Sequence, residues 1–376
     1  MSEGYTGIVI PRRALLVAGA ALAGCRKKRS TGFPGYAFVA NEEGQAIAAV
    51  DLTAFAVIRH VHLDGKPTDV VSSPAVASVY ALTPATGTVY EIPMDRLQVR
   101  GKVQRGAMAV SMRLDGRLLL VLYGSPRKLS AIALDELKPA WELALPGDAV
   151  DFDIASEGQT IAISFGREGR IALVDGQTRR MRLINTSTEM GILRFQSDGR
   201  ALIAADVGRR MLMIYDVASA RLIARLPLSV RPDNFCFNAD GGQLFVTGDG
   251  LDAVVIVYPY HTPQVAQTLL AGRSPGAMAA SDTRPPYLFV TNPSSGEVTI
   301  INIANQKVMA VAGVGAEPGY IAITPDQQYA LVLNRKSGDM GVLRIHQDLR
   351  TRQKSAALFT MIPVGSKPVC AVIREA

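Results

Sequence analysis

An all-β propeller, a closed ring of four-stranded blades, is the fold class this sequence predicts, and three observations predict it. From Tyr36 onward no segment carries an amphipathic helical period; short runs rich in Val, Ile, Leu, Phe and Tyr are instead punctuated by Gly, Pro and Asp-Gly. A first-strand pattern starts near Asp69, Met108, Val150, Ile192, Asn234, Ala277, Tyr320 and Cys370, a period of roughly 40 residues that marks a tandem array. A tight turn follows the first strand in several copies, as in Leu114-Asp-Gly-Arg117 and Ser197-Asp-Gly-Arg200. Gly accepts positive φ there and Asp bonds its own backbone.

The chain opens on an address and not on the array. Arg12 and Arg13 precede an apolar run from Ala14 to Gly24, too short to span a bilayer, which takes about 20 residues. Residues 1–24 are therefore expected to be a signal peptide. The run ends Leu22-Ala23-Gly24-Cys25, which resembles the lipobox of bacterial lipoproteins, with small residues for the peptidase and a thiol to accept the lipid. Pro11-Arg-Arg-Ala-Leu-Leu16 also resembles a twin-arginine export signal. Residues 25–35 then form the lipidated Cys25 and a basic tether, in which Arg26, Lys27, Lys28 and Arg29 would meet anionic head groups. The expected address is the periplasmic side of the envelope, on the outer membrane if the host has one, because Arg26 is not the aspartate of an inner-membrane retention signal.

Residues 36–376 are expected to be one propeller. Second strands recur as Tyr36–Asn41, Val79–Leu82, Leu118–Leu122, Thr160–Ser164, Ala201–Ala204, Leu244–Thr247, Leu288–Asn292 and Ala330–Asn334. Third strands end on an acid or Asn (Asp51, Asp175, Asp216, Asn302), read as turn residues, and a fourth strand follows, such as Arg221–Arg225. The count is eight blades, with seven the alternative; the long last interval, His346 to Lys354, reads as an insertion between outer strands. The array begins on a second strand and ends on a first, Val369–Ile373. The C-terminal strand is thus expected to complete the first blade and close the ring.

Phe289-Val-Thr-Asn292, Phe38-Val-Ala-Asn41 and the lead-ins Pro275-Gly-Ala-Met278 and Pro318-Gly-Tyr-Ile321 resemble the YVTN-type β-propeller repeat family of surface-layer and periplasmic proteins. The resemblance implies fold far more than activity. In blade number the chain is also similar to the haem-binding propeller of bacterial nitrite reductases.

Few residues offer chemistry. The sequence holds 4 His and 3 Cys, and its net charge of +7 is spread without a basic face, so no nucleic-acid partner is expected. A haem needs an axial ligand, yet His60 and His62 fall on a fourth strand, His261 follows a third, and His346 opens the insertion. Cys236 and Cys370 lie in first strands of distant blades and are expected to be unpaired core residues. Ser125-Pro-Arg-Lys128 fits Ser-x-x-Lys but sits in a loop without a supporting motif. No catalytic residue, metal site or cofactor is expected.

One pattern points to a ligand. Loops leading into first strands carry Lys66, Arg105, Arg231, Arg273 and Lys367, four of them at or near a proline. These cations would gather at one channel mouth, although Asp64, Asp148, Glu189, Asp233 and Glu317 share the same loops. The expected function is a membrane-tethered binding or scaffold module for a protein or envelope ligand. The alternatives are a propeller hydrolase resembling the sugar-lactone hydrolases, drawing on Arg105 and Glu189, and a haem or redox propeller.

Overall fold

The computed structural model describes residues 32–155, 160–186, 188–260, 262–345 and 358–375. Among them are thirty-two strands, numbered β1 to β32 in chain order, arranged as eight four-stranded antiparallel sheets. Eight blades are present, as the repeat count predicts. The expected insertion at 346–354 lies outside the described residues.

The inner strands are β4 (Asp69–Ser72), β8 (Ala107–Asp115), β12 (Asp151–Ile154) and β16 (Met190–Phe195), then β20 (Asn234–Phe237), β24 (Met278–Ala280), β28 (Pro318–Ile323) and β32 (Pro368–Glu375). The outer strands are β3 (Ala56–His62), β7 (Gly101–Gln104), β11 (Lys138–Ala144) and β15 (Met181–Asn185), then β19 (Arg221–Pro227), β23 (Gln264–Leu270), β27 (Lys307–Gly313) and β31 (Leu358–Pro363). Blades two to eight take their strands in chain order from the inside out. Blade one differs: β1 (Gly35–Asn41) pairs with β2 (Ala46–Asp51) on one side and with the C-terminal β32 on the other. Tyr36 stands opposite Arg374 and Ala40 opposite Cys370. Main-chain bonds therefore close the ring, and β1 is not left as a free edge.

Burial explains why the second and third strands read as continuous apolar runs. Each blade is covered on both faces by its neighbours, so Ser78–Thr83 and Tyr287–Asn292 are buried at every position. The outer strands are exposed along much of their length, Arg221–Pro227 on alternate residues. The third-strand acids act as turn residues: Asp51 Oδ1 accepts the N–H groups of Thr53 (2.7 Å) and Ala54 (3.2 Å), and Asp175 Oδ1 those of Gln177 and Thr178. Four residues past each of Asp51, Asp175 and Asp216, the chain takes a left-handed conformation at Phe55, Arg179 and Ala220.

The recurrent Asn at the end of the second strand ties the blades together. Asn41 Nδ2 donates to the Val364 carbonyl at 2.8 Å, and Asn334 Nδ2 to that of Val314 at 3.0 Å. Each carbonyl belongs to the crossover from the preceding blade, and a glycine follows it. A Cβ on Gly315 would lie 2.5 Å from the Asn334 amide, and one on Gly365 2.9 Å from that of Asn41. Gly272 presses on Asn292 in the same way. Thr83, Phe165 and Asp206 end the second strand in three other blades, so this lock is local to the Asn-bearing copies.

Candidate functional site

Side chains alternate along each inner strand, and the register with the second strand sorts them into tiers. At one level Val70, Phe152, Leu193, Ile321 and Ala371 are buried between blades. The residues on either side of that level lie along the inner edges of the blades, where Val71, Cys236, Tyr320 and Cys370 pack partly buried against the cores between blades. The upper tier, nearest the crossover loops, holds Asp69, Asp151, Asn234, Tyr320 and Cys370, opposite Leu82, Ser164, Thr247, Leu333 and Ala40. The lower tier holds Val71, Arg113, Asp153, Arg194 and Cys236.

These side chains reach sideways to the next inner strand. Tyr320 donates to the Ala371 carbonyl at 2.7 Å, and the Cys370 thiol lies 3.9 Å from Asp69 Oδ1. Asp69 Oδ2 accepts the Met112 N–H at 3.1 Å. Arg113 stands 3.7 Å from Asp151 Oδ1, while Asp151 Oδ2 accepts the Leu193 N–H (3.1 Å) and an N–H of Arg194 (2.6 Å). Asp153 Oδ2 accepts the Phe195 N–H at 2.9 Å. Five consecutive seams, from β28|β32 round to β12|β16, are tied by these contacts. Carboxylates thus satisfy strand N–H groups that no fifth strand covers.

Charge is uneven along the inner strands: Asp69, Arg113, Asp151, Asp153 and Arg194 stand on blades two to five, whereas β24 of blade seven is the uncharged Met278-Ala279-Ala280. Burial pushes the Asp69 carboxyl above the ordinary carboxylate range, against the pull of Arg113 and the Met112 N–H. Burial also raises Asp153, with Arg194 opposing it. Both thiols are driven up to about 12 by burial, Cys370 further by the charge of Asp69. At neutral pH they are protonated and poor nucleophiles or metal ligands. Both are free cysteines, on blades six and one. Among the described residues no group of three or more His, Cys, Asp or Glu is placed to hold a metal ion.

The loop cations stand on the crossover face, and most are engaged. Lys66 pairs with Glu43 at 2.8 Å, Lys367 with Glu42 at 2.9 Å and Arg231 with Asp233 at 2.7 Å. Arg105 meets Glu142 on β11 at 3.0 Å, where Lys128 also binds at 2.9 Å. Arg273 is exposed and has no ion-pair partner among the described residues. Arg105 and Glu189 are not brought together; Glu189 faces Arg167 at 3.8 Å. Ser125 and Lys128 flank a turn, with the lysine held by Glu142.

No local motif marks the charges on the inner strands, although the repeat period carries their signal. Asp69 and Met112, like Asp151 and Arg194, are 43 positions apart, one repeat, so opposite groups on successive first strands are neighbours in the ring. The described histidines, His60 and His62, stand on β3, and His60 Nε2 lies 2.9 Å from the Val364 carbonyl. His261 and His346 lie outside the described residues. The described inner strands therefore offer no imidazole to a haem iron.

No protein-family model and no curated protein matches the chain. Solved structures do, at low identity. The dihydro-haem d1 dehydrogenase NirN, in complex with DHE, is 15% identical, with a TM-score of 0.76 over 93% of this chain and 78% of that one. A candidate 6-phosphogluconolactonase of Bacteroides fragilis is 14% identical, with a TM-score of 0.60 over 93% and 99%. BamB of Moraxella catarrhalis is 14% identical, with a TM-score of 0.60 over 81% and 91%. These likenesses establish the propeller fold and leave activity open.

Proposed function

We propose that this chain is a binding module of the bacterial cell envelope, exported, held to the membrane by a lipid on Cys25, and presenting its propeller to a protein or envelope ligand. The observation that carries the binding reading is the tied channel wall. Asp69, Asp151 and Asp153 spend their oxygens on neighbouring strands, which gives a preformed surface whose carboxylates and guanidiniums gather on blades two to five, of the kind that suits recognition. Arg273 and the crossover loops around it add a cation at the rim of that surface. The leader pattern and the basic run Arg26–Arg29 support the tether.

Two measurements test this reading. Cys25→Ser is expected to release the protein from the membrane fraction, and unchanged retention would refute anchoring through that thiol. Cross-linking in native membranes is expected to capture a specific ligand or protein with the wild type, with capture weakened by Arg273→Glu. Repeated failure to capture anything, together with measurable turnover, overturns the binding reading.

A second reading, a hydrolase of lactone-type substrates, is favoured by one observation. Asp153 is a carboxyl raised by burial beside Arg194, the arrangement of a proton donor next to a guanidinium. Turnover of a lactone panel that disappears in Asp153→Asn supports it; no turnover by the wild type removes it.

A further inference from the structure

Outer strands are sheet edges, and soluble proteins guard edges with charge. Here the guard is uneven around the ring. β3, β7, β11, β15 and β19 each carry a charged residue inside their length, namely Arg59, Lys102, Glu142, Arg182 and Arg225. β23 and β31 carry none, and β27 only Lys307 at its first position. On β27 and β31 the unguarded positions are apolar and open: Val308, Met309, Val311, Phe359 and Met361 are 37–47% exposed. The two strands are neighbours, since Gly313, Val314 and Met361 line one open cleft between blades seven and eight.

The tether enters beside this rim. The first described residue, Gly32, lies against the Phe55 ring, and Phe55 stacks edge-on with Phe359 of β31 at 5.1 Å between ring centroids. Phe33, next along, is buried in the core shared by blades eight and one. Six residues separate Cys25 from Gly32, so a lipidated Cys25 cannot stand more than about 25 Å of chain from that point. Four of those six are Arg or Lys.

We infer that the apolar outer rim of blades seven and eight rests on the lipid surface to which the chain is tethered, so that the ring stands edge-on and both channel mouths stay open to ligand. The inference rests on the tethered reading above. A short tether ending next to the unguarded edge brings that edge to the bilayer at high effective concentration. Apolar side chains flanked by basic residues suit the acyl–headgroup boundary.

The test separates the rim from the anchor. Residues 25–376 carrying Cys25→Ser, which have neither leader nor lipid, are mixed with zwitterionic phosphatidylcholine vesicles and floated. This chain is expected to bind reversibly. Val308→Glu with Met361→Glu is expected to lower the bound fraction by about tenfold or more, while Ile223→Glu on the distant β19 leaves it unchanged. If the first pair lowers the thermal midpoint, Met309→Glu with Val311→Glu takes its place. No vesicle binding by the Cys25→Ser parent, or equal binding by all variants, overturns the inference. So does a concentration-dependent dimer without lipid that the rim variants abolish, which would assign the rim to a second copy. Membrane retention of the wild-type chain reports on the anchor alone, so the two claims fail separately.

Discussion

Asn41 donates its amide N–H to the carbonyl of Val364, joining residues 323 positions apart at 2.8 Å. The bond links the first strand of the array to the last crossover, beside the point where β32 closes the ring. Asn41→Ala is expected to cost about 1 kcal/mol, the loss of one buried hydrogen bond, because the Val364 carbonyl keeps its contact with His60 Nε2. Gly365→Ala is expected to cost more, because Gly365 has φ of 129° and its Cβ would strike the same amide. Chemical denaturation of the two variants checks the order.

Asp151 holds two guanidiniums and one backbone N–H at the channel wall. Asp151→Ala is expected to destabilise by roughly 2–3 kcal/mol, below the full cost of breaking a buried pair because the arginines are part-exposed. Arg194→Ala combined with it is expected to recover part of the loss, as a coupled pair does. Full additivity in a double-mutant cycle would show that the two do not interact.

The crossover-face pairs are expected to behave differently. Lys66 and Glu43 are about half exposed, as is Arg231 opposite Asp233. Lys66→Ala and Arg231→Ala are expected to leave the thermal midpoint nearly unchanged, because solvent-exposed pairs contribute little. A clear drop in the midpoint would show that these loops are structural.

The part of the stability that depends on Asp69 and Asp153 is expected to fall as pH rises past the ordinary carboxylate range. Asp69 and Asp153 have folded pKa values raised by burial, so the folded state binds protons more tightly than the unfolded chain. Their contribution is fully present below the unfolded value, about 3.9, and is lost as pH climbs through the folded values. Asp153→Asn is expected to raise the midpoint at pH 7 relative to the wild type and to flatten that decline. Equal pH profiles for both proteins count against the burial account.

Cys236 and Cys370 are expected to resist alkylation in the native state at pH 8, because burial pushes both thiols up to about 12. In the Cys25→Ser chain, labelling should appear only with unfolding. Rapid native labelling would mean that the channel opens more than its bonded wall suggests.

Much of this architecture is legible in the residues taken in order. The strand grammar and its period follow from local rules, since Asp-Gly turns and β-branched runs specify hairpins within a few positions. Counting first strands gives eight, and an array that starts on a second strand and ends on a first implies its own closure. The roles of Asp51, Asp175 and Asp216 are equally local, because each caps a turn two or three residues away.

The site is decided by what the ring brings together. Asp151 and Arg194 become partners only because adjacent blades place one repeat beside the next, and buried carboxylates become acceptors only where strand N–H groups lack a neighbour. Lys66 and Arg231 read as a potential anion site in the chain, yet in the fold carboxylates stand beside them. The sequence by itself determined the blade, its number and its closure, because those depend on periodicity and turn chemistry. Tertiary structure alone decided which charges are spent on the frame, which edge is left apolar and what lines the channel, because pairing across blades depends on distance in space.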